Sequence, residues 1–393
     1  KYKIDYIKHP LLIMFSKILP KLFKNNVLKV SQFNKINTSI RGMRTLNYGK
    51  GIPQEIVYER SDYPINKIKE ILKMEKLSVI GYGPQGQGQA LNLRDSGLPV
   101  VIGVRENGQS WKKAIEDGFV PGETLLPIDE AVQQGSIIMN LLSDASQIDV
   151  FPKIKENLTP GKTLYFSHGF GVVYKNLTGV DVDNIDGVDV VMVAPKGSGK
   201  TVRTHYLNGD GINSSYAIYK DESGNAKDKT LAIGFGIGSP YIYETTFKNE
   251  VYSDLTGERS VLMGGIAGLF KAQYDVLRQF GHSPSEAFNE TVEEALHSLY
   301  PLINEKGMDY MFSNCSSTAQ RGAIDWSKKF EEINKPLIEE IYNSVKSGKE
   351  VERVLECNTQ DDYKSKLDQE LQDINDMEIW KVGKEIRKLR PKI

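Results

Sequence analysis

Short apolar segments alternate with helix-like stretches along residues 48–244. Five of these segments have the length and composition of buried strands, and they lie at residues 77–80, 100–102, 136–139, 163–166 and 188–193. Their apolar residues are nearly continuous, which indicates strands covered on both faces. The alternation therefore predicts an α/β domain in which helices flank a parallel sheet.

Helical patterns replace the strands after residue 245. One helix has a clear start signal, in which Ser283 caps the helix, Pro284 takes the first helical position and Glu286 completes a capping box. We therefore expect an all-helical second domain over residues 245–393.

Composition excludes several classes of protein. The 393 residues carry a net charge of −1, with 39% hydrophobic and 26% charged residues, which is ordinary for a globular protein and gives no support to a nucleic-acid partner. The two cysteines, Cys315 and Cys357, lack metal-site spacing and are expected to be free thiols. No apolar run approaches the roughly 18 residues that cross a bilayer, so we expect no membrane span.

The first 47 residues differ from the rest of the chain. They contain ten Lys or Arg residues and one acid, Asp5, with apolar residues between the basic ones. This composition is typical of an organellar transit peptide, and the alternative is a disordered basic tail on a cytosolic protein. We predict a mitochondrial protein, with a plastid or a mitochondrion-derived organelle as the alternatives, and exclude residues 1–47 from the fold.

A glycine-rich turn follows the first predicted strand of the sheet. Gly81, Gly83 and Gly86 form a G-x-G-x-x-G pattern that opens a helix, as in dinucleotide-binding Rossmann-like domains. The helix start would direct its amides to the cofactor pyrophosphate. We therefore take these glycines and Gln85 as candidate cofactor-binding residues. The alternative is a purely structural turn.

The second predicted strand ends in a basic residue. NAD-binding domains usually carry Asp or Glu here, to accept a hydrogen bond from the ribose 2′-hydroxyl. This chain has Arg105, followed by Ser110, and a cation with a hydroxyl suits a 2′-phosphate. We therefore predict NADPH as the cofactor, unless Arg105 is only a solvated loop charge.

A second glycine-rich segment imitates a phosphate-binding loop. Residues 194–201 match a relaxed P-loop with Ala194 in place of its first glycine. A P-loop also requires a long helix, and we expect none after Thr201 because the chain soon reaches Asn208-Gly209. The segment is therefore not expected to make the protein a nucleotide hydrolase.

Two acid pairs in the second domain suggest a metal site. Asp254 with Glu258, and Glu290 with Glu294, are each four residues apart and so share a helix face. Oxygen ligands suit Mg²⁺, and two such helices could hold two ions, whereas a single pair is more often a solvated face. We expect the neighbouring Glu293 to be the acid that faces solvent.

Three further polar residues are candidates. His168 and Lys196 follow predicted strands, and ligands of open α/β sheets bind outside the carboxyl ends of the strands. Ser316 could contact a substrate. The alternative for each is a locally hydrogen-bonded loop residue.

These features together resemble the ketol-acid reductoisomerases, also called acetohydroxy acid isomeroreductases, in their short form. The resemblance spans roughly residues 48–390 and is nearest to the fungal mitochondrial enzymes. Its motifs are G-Y-G-P-Q-G-Q-G-Q-A-L-N-L-R-D-S-G, Y-F-S-H-G-F, V-A-P-K-G-S-G, S-D-L-T-G-E-R, G-H-S-P-S-E-A-F-N-E-T-V-E-E, C-S-S-T-A-Q-R-G-A and the ending M-E-I-W-K-V-G-K-E-I-R-K-L-R-P.

The resemblance implies a function for the whole chain. It implies reduction by NADPH and alkyl migration on 2-acetolactate and 2-aceto-2-hydroxybutyrate, in the synthesis of valine, isoleucine and leucine. Two Mg²⁺ ions would polarise the substrate oxygens during migration. The second domain would be knotted, and the chains would form a homodimer or a larger assembly of dimers.

The resemblance also implies a role for each candidate residue. Asp254 and Glu258 would ligate Mg²⁺, with Asp254 between the two ions, and His168 and Lys196 would be polar active-site residues. Glu290, Glu294 and Ser316 would complete the site of a partner chain, around metal waters and substrate. Glu258, Glu294 and a metal-bound hydroxide all remain candidates for the general base.

Two alternatives remain open. One is an NADP-dependent hydroxy-acid dehydrogenase without the isomerase step, because such enzymes also join a nucleotide fold to a helical domain, although most need no metal. The other is a structural or regulatory protein that binds NADPH without turnover. Metal dependence and substrate turnover would separate these hypotheses.

Overall fold

A computed structural model of the chain describes residues 44–391, so the transit-peptide prediction for residues 1–47 lies almost wholly outside the described residues. Within the described part, no helix is both long and apolar enough to cross a bilayer. The strands are β1 (Arg44–Leu46), β2 (Glu55–Glu59), β3 (Leu77–Ile80), β4 (Val100–Gly103), β5 (Leu125–Leu126), β6 (Ile137–Asn140), β7 (Thr163–Phe166), β8 (Asp189–Pro195), β9 (Ser214–Lys220) and β10 (Tyr241–Glu244).

The strands form one sheet whose order is β1-β2-β10-β9-β8-β7-β6-β3-β4-β5. The six strands from β8 to β5 are all parallel and reproduce the classical Rossmann order, which confirms the predicted α/β class. The order in which the strands are added reverses between β3 and β6, because β4 and β5 lie on one side of β3 whereas β6, β7 and β8 lie on the other. Dinucleotides bind at such a switch point.

The expectation of a purely parallel sheet is wrong at one edge. β9 runs antiparallel to β8, and Pro195 at the end of β8 pairs with Ser214 at the start of β9. The chain leaves the sheet at the end of β8, forms one helix and returns beside that same end of β8. Gly209 and Gly211, both with positive φ, reverse its direction after the helix. β10 is parallel to β9, while β2 and β1 add antiparallel strands.

Successive strand residues point into two separate cores, one on each face of the sheet. Tyr165 of β7 belongs to one core, while its neighbours Leu164 and Phe166 belong to the other. Burial on both faces explains why the strands read as continuous apolar runs.

Helices cover both faces of the sheet. The helices of this part are α1 (Ile65–Ile71), α2 (Pro84–Asp95), α3 (Gln109–Glu116), α4 (Ile128–Gln134), α5 (Asp144–Glu156), α6 (Phe170–Val173), α7 (Lys175–Thr178), α8 (Gly199–Asn208) and α9 (Ala226–Gly236), with a 3₁₀ turn at Arg60–Asp62.

After β10 the described chain is helical, as the sequence predicts. Its helices are α10 (Phe247–Gly257), α11 (Gly264–Gln279), α12 (Pro284–Phe288), α13 (Tyr300–Lys306), α14 (Met308–Ser313), α15 (Ser317–Ser347), α16 (Lys349–Asn358), α17 (Tyr363–Asp376) and α18 (Glu378–Lys388). A small core that contains Phe170, Tyr174 and Val251 joins these helices to α6, which follows β7. The predicted domain limits at residues 244 and 245 stay predictions.

The start signal of α12 is confirmed in part. Ser283 Oγ accepts a hydrogen bond from the Glu286 amide at 3.2 Å, and Pro284 opens the helix. The Glu286 carboxylate lies instead 3.1 Å from His282 Nδ1, so the predicted reciprocal half of the capping box is absent there.

The helix expected to carry Asp254 and Glu258 does not continue regularly past Gly257. α10 ends at Gly257 and continues as a π-helical segment, Glu258–Leu262, in which Ser260 has non-helical angles (φ −102°, ψ −113°). A Cβ at Gly264 would lie 2.4 Å from the Arg259 carbonyl oxygen, so the bend needs glycine there. Two further π segments, Asn289–Glu293 and Ala295–Leu299, follow α12.

Candidate active site

Three carboxylates form a row along α10 and its π-helical extension. Glu250, Asp254 and Glu258 are spaced four residues apart, which keeps them on one side of the helix. Glu250 is only 3% exposed, Asp254 is half-buried and Glu258 is more exposed. The sequence reasoning singled out Asp254 and Glu258 but missed Glu250. The signal that could have found Glu250 is the same four-residue spacing, continued one turn towards the N-terminus.

His168 and Lys196 both converge on Glu250. The Nδ1 atom of His168 lies 3.0 Å from Glu250 Oε2, and Lys196 Nζ lies 3.3 Å from Glu250 Oε1. The Gly169 amide donates a further hydrogen bond to Oε2 at 3.2 Å. The two predicted strand-end residues therefore meet at one buried carboxylate, because β7 and β8 are parallel neighbours whose carboxyl ends lie at the same edge, beside α10.

The pairing with Glu250 decides the charge of His168. Burial alone would disfavour the imidazolium, but the hydrogen bond and charge of Glu250, with the carboxylates of Asp144 and Asp254, raise the pKa of His168 to about 9. Burial also opposes ionisation of Glu250, yet His168, Lys196 and the Gly169 amide bring the pKa of Glu250 below its usual value. Around neutral pH this part of the site is therefore a charged, hydrogen-bonded network.

The other acids of the site lie close to one another, so their negative charges repel. Burial raises the pKa of Asp254, and Glu250 raises it further. Partial burial and the charge of Asp254 raise the pKa of Glu258. Asp144, which the sequence reasoning missed, opens α5 just beyond the end of β6, and burial raises its pKa too. A bound cation would relieve this crowding.

The oxygen atoms of this cluster fit a hard divalent cation. Ligand atoms of His168, Glu250 and Asp254 all lie within 4.8 Å of one another. Both oxygens of Glu250 are occupied by His168, Gly169 and Lys196, whereas those of Asp254 and Glu258 accept no hydrogen bond from the described residues. Asp254 and Glu258 are therefore the carboxylates available to hold Mg²⁺, which prefers oxygen ligands.

The glycine-rich turn has the geometry of a dinucleotide loop. Gly81 has φ +97°, and a Cβ there would lie 2.9 Å from the Leu141 carbonyl oxygen. A Cβ at Gly86 would lie 2.3 Å from the Gly81 carbonyl oxygen, so that position also needs glycine. Gly83 caps α2 and borders open space, since nothing lies within 4 Å of its Cβ position. The open side of Gly83 and the free amides of the first turn of α2 fit a pyrophosphate.

The side chain of Gln85 is engaged within the protein. Its Nε2 donates to the Gly197 carbonyl oxygen at 2.9 Å, and its Oε1 accepts from Gln89 at 3.1 Å. The Gln85 backbone amide, in the first turn of α2, is also an available donor to the cofactor. The role of Gln85 in cofactor binding stays a prediction.

A short helix, α8, begins within the P-loop-like segment at Gly199 and ends at Asn208. Ser198 caps it, and its first residue, Gly199, packs so closely on α2 that a Cβ there would lie 2.0 Å from the Pro84 carbonyl carbon. The helix stops at Asn208 and Gly209 has positive φ, so the long helix that a phosphate-binding loop requires is absent from this segment, as expected. In addition, Gln85 and Pro84 of the dinucleotide loop pack against this segment, through the Gly197 carbonyl oxygen and Gly199.

The predicted readers of the 2′-phosphate lie beyond the end of β4. Arg105 is exposed, and no carboxylate of the described chain lies within ion-pair distance of its guanidinium. Ser110 is half-buried in the first turn of α3. The position suits a phosphate on the ribose bound to this strand, and both roles stay predictions.

Glu290, Glu294 and Ser316 are not brought to the cluster. Glu290 lies in the π segment after α12, Glu294 lies between the two π segments, and both acids are exposed. Ser316 is also exposed and caps α15, its Oγ accepting from the Ala319 amide at 3.2 Å. Their predicted roles in a partner's site stay predictions.

The expectation that Glu293 faces solvent is wrong. Its side chain is 19% exposed and forms a two-pronged ion pair with Arg390, at 2.9 and 2.6 Å. The sequence could not show this contact because the partner lies 97 residues further along the chain.

Comparisons with known proteins agree on one family. Residues 71–241 match the model of the acetohydroxy acid isomeroreductase NADPH-binding domain, and residues 247–392 match that of the ketol-acid reductoisomerase C-terminal domain. The mitochondrial ketol-acid reductoisomerase of Neurospora crassa is 56% identical over 352 residues, which cover 90% of this chain and 87% of that protein.

Two further relatives are named for the other nicotinamide cofactor. The ketol-acid reductoisomerase (NAD(+)) of Desulfosudis oleivorans is 53% identical over 349 residues, covering 89% of this chain and 98% of that protein. The structure of an NADH-preferring ketol-acid reductoisomerase from an uncultured archaean superposes with a TM-score of 0.74 at 33% identity, covering 86% and 99% of the two chains.

Proposed function

The chain belongs to the ketol-acid reductoisomerase family of oxidoreductases, and from this membership we propose that it converts 2-acetolactate and 2-aceto-2-hydroxybutyrate into 2,3-dihydroxy-3-methyl acids. The reaction would combine a Mg²⁺-dependent alkyl shift with reduction by NADPH, in the synthesis of branched-chain amino acids.

One observation carries the proposal. Lys196 lies 3.3 Å from Glu250 in the carboxylate cluster, while its neighbour Gly197 accepts the hydrogen bond from Gln85 in the dinucleotide loop. Adjacent residues of a single loop thus join the acid cluster to the cofactor loop. A reaction that needs both a metal and a hydride donor requires such proximity.

The three acids of the α10 row would have different roles in the reaction. Two Mg²⁺ ions, when bound, supply positive charge that favours loss of the hydroxyl proton and polarises the ketone. Asp254 and Glu258 would hold them, because the oxygens of Glu250 are already engaged. Glu258, at the more exposed end of the row, is the acid of this row that we take as the candidate to accept a proton. Glu294 stays the alternative base.

His168 and Lys196 would act as cations. With a pKa of about 9, His168 is protonated around neutral pH and so is poorly suited to be the base that starts the reaction. It can instead orient Glu250 and, with Lys196, stabilise negative charge that develops on the substrate oxygen. NADPH, held at the turn of Gly81, Gly83 and Gly86, supplies the hydride for the final reduction.

A second copy of the chain would complete the site. Trp326, Phe330, Ile333 and Leu337 form an exposed apolar stripe along α15, and large apolar patches of this kind mark protein interfaces. Glu290, Glu294 and Ser316 remain outside the cluster of their own chain. We therefore infer a homodimer, or a larger assembly of dimers, with a knotted helical domain and with shared sites.

The proposed compartment is the mitochondrion. The basic composition of residues 1–47 and the mitochondrial Neurospora crassa relative support this location. Import of a reporter fused to residues 1–47 tests it, and a reporter that stays in the cytosol contradicts it.

The decisive experiment is NADPH oxidation with 2-acetolactate, measured with Mg²⁺ and after chelation. We expect turnover that disappears on chelation and returns when Mg²⁺ is restored. Turnover that survives chelation would favour a plain hydroxy-acid dehydrogenase. A folded protein that binds NADPH but turns over neither 2-aceto-2-hydroxy acid contradicts the proposed function.

A further inference from the structure

The last helix, α18, is attached at its start to α11. The Glu378 carboxylate accepts hydrogen bonds from Tyr274 Oη at 2.8 Å and from Arg278 Nε at 2.6 Å. Arg278 also contacts the His282 carbonyl oxygen in the turn before α12. The start of α18 therefore fixes both α11 and the approach to α12.

The middle of α18 packs closely on α12. Ile379 shares a small buried core with Tyr274 and Phe288. Gly383 approaches the Phe288 ring so closely that a Cβ there would lie 2.5 Å from ring carbons. The contact leaves little room for α18 to slide along α12, because both sides are tightly packed.

The segment just after α18 holds the π-helical turn. Arg390 Nε and Nη2 reach the two oxygens of Glu293 at 2.9 and 2.6 Å, and this two-pronged geometry fixes the orientation of both groups. With Glu293 at 19% and Arg390 at 35% exposure, the pair is partly shielded from water. Shielding and fixed geometry distinguish it from the many surface pairs that contribute little.

The position of Glu293 makes this contact important. It is the last residue of one π segment and lies between Glu290 and Glu294, the exposed acids of the proposed site. π turns are rare, and a slip of one residue back to α geometry would rotate the following side chains by about 100°. Gln273 of α11 also donates to the Glu290 carbonyl oxygen at 3.0 Å, so the turn is held on two sides.

We propose that Arg390 is a positioning residue. Through Glu293 it holds the π-helical turn, and the geometry of this turn sets the direction in which Glu290 and Glu294 point towards the metal and substrate. This inference rests on the proposed function for the role of the two acids. Arg390 itself touches neither metal nor substrate. It acts by holding the π turn, so its loss changes metal and substrate binding before it changes folding.

The test compares Arg390→Met with Lys388→Met in the full-length enzyme. Lys388, the last residue of α18, pairs with Glu385 at 2.7 Å on the exposed side of that helix and is the matched control. We expect Arg390→Met to raise the half-saturating Mg²⁺ concentration and the KM for 2-acetolactate by about 10-fold, the effect typical of groups that orient ligands. Lys388→Met should change both by less than about twofold, as expected for a surface pair.

Two further variants and one independent readout keep the test decisive. Arg390→Lys keeps the charge but loses the two-pronged contact, so we expect an intermediate effect. The exchange of both charges, Glu293→Arg with Arg390→Glu, should recover part of the lost affinity. Amide hydrogen exchange of residues 289–299, measured without metal, should be faster in Arg390→Met than in Lys388→Met.

An Arg390→Met enzyme with the Mg²⁺ requirement and exchange rates of Lys388→Met would overturn the proposal. The proposed function fails separately, in a wild-type protein without turnover, and in that case hydrogen exchange still decides whether Arg390 holds the turn.

Discussion

The two halves of the proposed site differ in how completely one chain builds them. The half on the sheet side, formed by His168, Lys196, Glu250 and Asp254, is joined by contacts between 3.0 and 3.6 Å around one buried carboxylate. The helical half, formed by Glu290, Glu294 and Ser316, is exposed and shares no contact with it in the described chain. The first half is preorganised by its own fold, whereas the second depends on the π turn and on assembly.

The largest expected effect comes from Asp254→Asn, which should strongly reduce turnover of 2-acetolactate. Loss of a residue that only supports a metal ligand typically costs roughly 10- to 100-fold, and loss of a ligand itself should cost more. Asp254 lies at the centre of the carboxylate row, and its oxygens accept no hydrogen bond from the described residues, although Oδ2 lies 3.6 Å from His168 Nδ1. The measurements are NADPH oxidation and Mg²⁺ binding by calorimetry.

Asp275→Asn is the matched control, because Asp275 is an exposed acid of α11 that pairs, among the described residues, with Lys271 alone. It should leave both measurements unchanged. Near-normal turnover in Asp254→Asn would show that the half of the site on the sheet side does not hold the metal.

Glu250→Gln should reduce turnover by about 10- to 100-fold, because Glu250 orients His168 and Lys196 rather than holding metal. The substitution removes the charge that raises the pKa of His168, so this pKa should fall from about 9 towards its ordinary value. An NMR titration of His168 in the metal-free protein measures the change. An unchanged His168 titration would mean that Glu250 does not organise this half.

Features that depend on neighbouring residues could be predicted from the sequence, whereas features that depend on contacts between distant segments could not. β3, the Gly81 turn and the carboxyl ends that carry His168 and Lys196 follow from local pattern, and the structure confirms these positions. The antiparallel β9 could not be predicted, because its direction depends on the turn at Gly209 and Gly211 rather than on its own apolar pattern.

The same contrast applies to the acids. Glu250 was within reach of local pattern, because the four-residue spacing of Asp254 and Glu258 continues one turn towards the N-terminus. Glu293 was placed in solvent because an α-helical reading ignores both the π turn and Arg390. Pairing at long sequence distance and unusual helical geometry are properties of the tertiary fold, so they are not visible in a local pattern.

Arg105→Met should weaken NADPH far more than NADH. A charged hydrogen bond contributes about 1.5–3 kcal/mol, so we expect a loss of roughly 10- to 100-fold in affinity for NADPH alone. Fluorescence titration with both cofactors measures the selectivity, and Lys112→Met, which removes a nearby exposed cation on α3, is the control. Equal binding of NADH and NADPH by the wild type would contradict the assigned cofactor.

The smallest expected effect, Ser316→Ala, tests the exposed half most directly. Ser316 caps α15, and losing a cap costs about 1 kcal/mol of helix stability, so an effect of Ser316→Ala alone would be ambiguous. Ser316→Asn resolves this, because Asn is an equally good cap but has no hydroxyl to offer a substrate. If the hydroxyl contacts substrate, both variants should raise the KM for 2-acetolactate by a few-fold, the value of one neutral hydrogen bond, with little change in kcat. If only Ser316→Ala is impaired, Ser316 is a helix cap, and the helical half of the site reduces to its two acids.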